Sequence, residues 1–185
     1  MSGSPMSRIG SRVAAEVAFL SVDIDRFSDG DGGEFERAVI RHPGAVAVVP
    51  VDDGRVVLVR QFRAPLNEVM LEIPAGKLDV EGEDRRPAAI RECEEETGFR
   101  PGSLEHLRTI HTTPGFTDER IDIYMATDLT EVGASPDGIE EHHAEIVCLT
   151  FDEVIEAMSD GSITDAKTLI GLADVLSRRT GAATP

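Results

Sequence analysis

Four carboxylates occupy five positions after Arg91 in the run Arg91-Glu92-Cys93-Glu94-Glu95-Glu96-Thr97-Gly98. At the helical advance of about 100° per residue, Glu92 and Glu96 stand one turn apart on one face, and Glu95 borders it. Like charges at that spacing destabilise a helix by roughly 0.2–0.5 kcal/mol per pair, so a fold that keeps them is expected to set something positive against them. Hard carboxylate oxygens suit a divalent cation. The plainer reading, a solvated acidic face, fits less well, because acids at the C-terminal end of a helix oppose its macrodipole.

The element that must position these groups is marked at both ends. Asp84 stands as N-cap, Pro87 falls in the first turn where a missing N–H is harmless, and Gly98 takes the left-handed position after the last turn.

From Gly76 to Phe99 the chain resembles the Nudix box, G-x5-E-x7-R-E-U-x-E-E-x-G-U with U apolar. Glu83, Arg91-Glu92, Cys93, Glu95-Glu96, Gly98 and Phe99 take the fixed positions, while Gly76 stands seven residues ahead of Glu83 instead of six. The extra residue falls in the loop before the helix, where length is cheap. The resemblance implies an α/β fold, a Nudix-like α/β/α sandwich with a mixed sheet along roughly residues 40–180. It also implies magnesium, with manganese as the alternative, held by Glu92, Glu95, Glu96 and the main-chain carbonyl of Ala75. Arg91 would orient the glutamates in catalysis, and Glu83 would support the loop.

Nudix enzymes that split ADP-ribose characteristically carry a proline sixteen residues after the box's E-E-x-G glycine. Pro114 lies sixteen after Gly98, within Pro114-Gly115-Phe116-Thr117-Asp118-Glu119. The resemblance therefore implies hydrolysis of ADP-ribose to AMP and ribose 5-phosphate, with Glu119 on the terminal ribose. Arg63, Glu72 and Pro114 complete the candidate substrate contacts; a planar guanidinium suits a phosphate, although Arg63 also reads as an ordinary surface arginine. In related pyrophosphatases an acid on a later loop activates the water, which points here to Glu140 or Glu141, with Glu145 behind them. His142 and His143 replace part of the usual acidic run, so His142 is a further acid–base candidate; as a transition-metal pair they lack a third ligand.

Two rivals remain open. One is the same hydrolysis on another nucleoside diphosphate derivative, such as a nucleotide sugar, FAD or NADH. The other is a non-catalytic module that senses ADP-ribose, which predicts a degraded box and a fused DNA-binding segment.

Totals narrow the partners. The chain has 185 residues, a net charge of −17 and 41% hydrophobic residues, enough for one buried core. Clustered Lys and Arg of the kind that bind nucleic acid are absent. There is no run of about 18 apolar residues and no leader pattern, so the expectation is no membrane and a cytoplasmic location. Cys93 and Cys148 are expected to be reduced core residues.

Along the chain, residues 1–12 read as a flexible tail, 13–41 as a small antiparallel strand unit, and 42–180 as the main domain. Asp23, Asp25, Asp29 and Asp31 suggest a calcium loop, but Phe27 and Gly33 stand where ligands are needed, so a hairpin tip is expected. In the ADP-ribose branch a similar N-terminal unit exchanges between subunits, which implies a homodimer. Ala45–Val49 and Val56–Val59 read as a central hairpin, a strand is expected from Leu104 to His111, and residues 127–138 read as turn-rich. Two amphipathic helices are expected over 151–158 and 164–176.

Overall fold

A computed structural model describes residues 5–135 and 141–179. The chain forms two compact units, one from the residues up to Gly44 with His111–Arg120, the other from Ala45–Ile110 with the residues from Ile121 onward.

The first unit is a three-stranded antiparallel sheet in which β1 (Ser7–Val17) and β3 (Glu34–Arg41) flank β2 (Leu20–Ser28). Residues 7–12, expected in the tail, are therefore the first half of a strand. Apart from Ile9 their side chains are polar or absent and give no alternating pattern, and the ladder to β2 supplies what the side chains do not. The aspartates at 23–31 have separate tasks. Asp29 Oδ1 accepts the N–H groups of Asp31 and Gly33 at 2.9 and 2.8 Å, closing the β2–β3 hairpin tip. Asp23 and Asp25 face Arg41, which also donates to Asp118 at 3.1 Å.

In the second unit the central strands are β4 (Ala45–Asp52) and β5 (Arg55–Arg63), turned at Asp53-Gly54, where both residues have positive φ as a two-residue hairpin turn demands. The expected hairpin is real only at its tip: Val51 pairs Val56, Asp52 pairs Arg55, and then the strands part. Into that fork run β6 (Glu68–Glu72), which pairs β5, and β7 (Ala75–Lys77), which pairs β4. The opposite edges of β4 and β5 are already taken, so β6 and β7 must lie between them. The helix α1 (Arg85–Thr97), strand β8 (Phe99–His111), strand β9 (Arg120–Glu131), a short 3-10 turn at Glu141–His143, β10 (Glu145–Thr150), α2 (Phe151–Ser159) and α3 (Ala166–Arg179) complete the unit.

The sheet runs β10-β5-β4-β9-β8 and is mixed, with β4 parallel to β9 and antiparallel to β7. Alternation along β4 makes it a sandwich. Ala45, Ala47 and Val49 pack with Phe151, Val154, Leu172 and Val175 of α2 and α3, while Val46 and Val48 pack with Ala88, Ala89 and Cys93 of α1. Full burial of each large apolar side chain is worth about 1.5–3 kcal/mol, so both helix layers are held by the same strand.

Three local readings change. β8 begins at Phe99 rather than Leu104, and β9 continues through Glu131, into the stretch read as turns, because its polar residues lie on a partly exposed face and keep the ladder. Cys148 is exposed rather than buried: β10 ends the sheet, and an edge strand lacks cover on part of its surface. Among the described residues no helix is long and apolar enough to cross a membrane.

Candidate active site

Helix α1 begins at Asp84, which has N-cap backbone angles but makes no side-chain cap hydrogen bond, and ends at Gly98 with φ 74°, a conformation that costs glycine little. The exposed N–H groups of the next segment use its orphan carbonyls: Val132 N donates to Gly98 O at 2.8 Å and Ser135 N to Glu95 O at 3.0 Å. The chain carrying the later acidic loop therefore departs from the C-terminal end of the box helix.

Arg91 is the hub of the acidic face. Its Nε and Nη2 donate to the two oxygens of Glu83 at 3.2 and 2.9 Å, and its Nη1 donates to Glu95 at 2.9 Å and lies 2.8 Å from Glu92 Oε1. The charge expected against the glutamates is thus in part an arginine of the same helix. Its guanidinium is pushed above its ordinary value, first by the hydrogen bond to Glu83 and further by Glu92 and Glu95. Glu94 is turned to another task, accepting both nitrogens of the Arg100 fork at 2.7 and 2.8 Å.

The face of Glu92 and Glu96 meets β7. Glu96 accepts the Ala75 N–H at 3.1 Å. Glu92 lies so close to Gly76 that a Cβ there would stand 1.9 Å from its carboxyl carbon, so the leading glycine of the box is a space requirement. Ala75 is thereby fixed beside both glutamates. Carboxylates and peptide carbonyls are hard-oxygen ligands of the kind that divalent cations take. Among the described residues no three carboxylate, imidazole or thiol groups already converge as a metal cage.

The remaining candidates divide. Arg63 donates through Nε and Nη2 to both oxygens of Glu72 at 2.7 Å each, and Glu72 is buried, with 1% of its surface exposed. Pro114 and Glu119 belong to the first unit, where the 111–120 loop docks on β3 through Ile40 N to Phe116 O at 2.7 Å; Glu119 accepts the Thr112 hydroxyl. Glu145 pairs with Arg60 at 3.1 Å on the surface, and His142 and His143 are exposed on the 3-10 turn. Glu140 lies outside the described residues, as does the side chain of Glu141.

One residue had no sequence signal. Lys167 of α3 is 9% exposed and places its ammonium against Glu72, with Asp165 on its other side at 2.9 Å. A lysine at the start of an amphipathic helix reads as solvated, and its partner is 95 residues away in the chain.

The NUDIX domain model matches residues 40–169, the stretch that contains the fork, the box and the sheet. The chain belongs to the Nudix family. The methanol dehydrogenase activator of Bacillus methanolicus is 38% identical over 83% of this chain and 83% of its own. The ADP-ribose pyrophosphatase of Bacillus subtilis is 35% identical over 84% of this chain and 86% of its own. A crystal structure of an ADP compounds hydrolase superposes with TM-score 0.83 at 22% identity, covering 95% of each chain, and shows the same fold.

Proposed function

We propose that this Nudix enzyme hydrolyses the pyrophosphate bond of ADP-ribose, giving AMP and ribose 5-phosphate, with magnesium, or manganese in its place. The observation that carries this reading is the intact box face: Glu92 and Glu96 set against Gly76 and Ala75, with Arg91 spanning Glu83, Glu92 and Glu95. Glu92, Glu95, Glu96 and the Ala75 carbonyl would hold the metal, which when bound neutralises the pyrophosphate oxygens and helps form the nucleophile.

The chain's own groups do the rest. Arg91 holds three carboxylates in one arrangement, which keeps the donor set together. Arg63 keeps Nη1 without a hydrogen bond among the described residues, and that nitrogen suits a phosphate oxygen. Glu140 or Glu141 takes the proton of the attacking water as the new P–O bond forms and the bridging P–O bond breaks. Ser135 is tied to Glu95, and five residues of chain span up to about 17 Å, so an acid at 140 can reach the end of the box helix. The spacing of Pro114, sixteen residues after Gly98, and the adjoining Glu119 support ADP-ribose as the substrate.

The similarity to an ADP-ribose pyrophosphatase supports this substrate. We also propose a homodimer formed through the first unit, since its edge strand β1 leaves Val13 58% and Val17 67% exposed. Light scattering at micromolar concentration checks the mass. The activity test is incubation with ADP-ribose and magnesium, with and without chelator, beside FAD, NADH and a nucleotide sugar. Chelator-sensitive release of AMP from ADP-ribose is expected; turnover of another substrate alone would move the specificity, and no turnover of any would overturn the enzyme reading.

A further inference from the structure

The start of α3 is fastened to the strand that leads into the box. Asp165 accepts the Thr168 N–H at 2.9 Å and the Thr168 hydroxyl at 2.6 Å, and the same hydroxyl oxygen accepts the Ile73 N–H at 2.9 Å. Between these contacts Lys167 donates to Glu72 and Asp165, and Glu72 receives the Arg63 fork. Arg63, Glu72, Lys167 and Asp165 thus form a row of alternating charge from β5 to α3.

Such a row is expensive if stability is its only result. Burying an ammonium costs several kcal/mol before pairing, and well-packed apolar replacements of buried ion pairs are often as stable. Elsewhere the same helix places Leu172 and Val175 in the apolar core. What the ammonium adds is a second fixed charge on Glu72. A carboxylate held on both sides, by Arg63 and by Lys167, has less freedom to reorient than one held by Arg63 alone. The Arg63 guanidinium is pushed above its ordinary value, first by its hydrogen bond to Glu72 and further by the charges of Glu72, Glu96 and Asp165.

We infer that Lys167 is a positioning residue for the Nudix reaction: it anchors Glu72, which sets the Arg63 guanidinium so that Nη1 meets an oxyanion of the substrate. This rests on the role proposed above for Arg63.

The test compares Lys167→Met, Lys167→Arg and Arg63→Ala with the wild type. Lys167→Met is expected to raise KM for ADP-ribose about tenfold with kcat within about twofold, and Lys167→Arg to recover most of it. In the Arg63→Ala background the Lys167→Met change should add nothing to KM. Independently of activity, the Arg63 Nε–Hε signal in 15N NMR spectra should shift or broaden in Lys167→Met and return in Lys167→Arg. An unchanged KM, an unchanged Arg63 signal, or a KM rise that adds in full to that of Arg63→Ala would overturn the inference. Should Lys167→Met not fold, Lys167→Gln carries the same comparison. A wild type that releases no AMP defeats the substrate reading instead, and the Arg63 signal still decides whether Lys167 sets the guanidinium.

Discussion

Replacing Gly76 by alanine probes the box through a single methyl group. Gly76 is not among the residues with positive φ, so its backbone accepts alanine, and the consequence falls on Glu92. The new Cβ would sit 1.9 Å from the Glu92 carboxyl carbon and 2.1 Å from both oxygens. Restoring an ordinary contact of 3.4 Å moves that carboxyl by about 1.5 Å, which breaks its 2.8 Å pairing with Arg91. Because Arg91 keeps Glu83 and Glu95 and is partly exposed, the loss of stability is about 1 kcal/mol, a fall in Tm of roughly 2–4 °C for a chain of this size. Activity is far more sensitive, since a misplacement of about 1 Å at a catalytic group costs on the order of 10²-fold. Urea unfolding with steady-state hydrolysis of ADP-ribose reads both effects. In a Glu92→Ala background Gly76→Ala should cost almost no further stability. Gly76→Ala with wild-type kcat/KM would refute the claim that this glycine exists to admit Glu92.

Glu96→Gln keeps an oxygen that can accept the Ala75 N–H and removes the charge, so the Tm should stay within a few degrees while magnesium-dependent kcat falls by at least about 10²-fold; full activity would remove Glu96 from the metal site. Glu94→Gln loses only a partly exposed pair with Arg100, so stability should change by less than about 1 kcal/mol and kcat should not move, as denaturant titration and a rate assay will read. Burial raises the Glu72 carboxyl pKa, but Arg63 and Lys167 more than offset this and hold it below the ordinary value. Its stabilisation is therefore complete above the unfolded value of about 4.3 and is lost as pH falls through the lower folded value. Unfolding free energies of wild type and Glu72→Gln from pH 6 to pH 3 should differ by a constant amount at the upper end and converge at the lower.

The chemistry of α1 could be read directly from the residues because it is local. Asp84, Gly98 and the spacing of Glu92, Glu95 and Glu96 lie within a few turns of one helix, and helical geometry converts that spacing into one face without help from the rest of the chain. The same holds for the 3.6-residue period of α2 and α3 and for the alternation of β2 and β3. Even the calcium-like aspartates yielded to local reasoning, since Asp29 closes its own hairpin tip.

What the tertiary structure alone decided is where charges meet across long chain separations. Nothing near Lys167 announces Glu72, and nothing near Arg63 states that its fork is filled by a carboxylate rather than open to solvent. The parting of β4 and β5 was hidden because both runs are continuously apolar, a pattern that marks burial on both faces but does not name the neighbour. Cys148 and residues 7–12 were misread for the same reason. Burial at a sheet edge and pairing of a polar strand depend on which other strands arrive beside them, and periodicity within a segment carries no record of that.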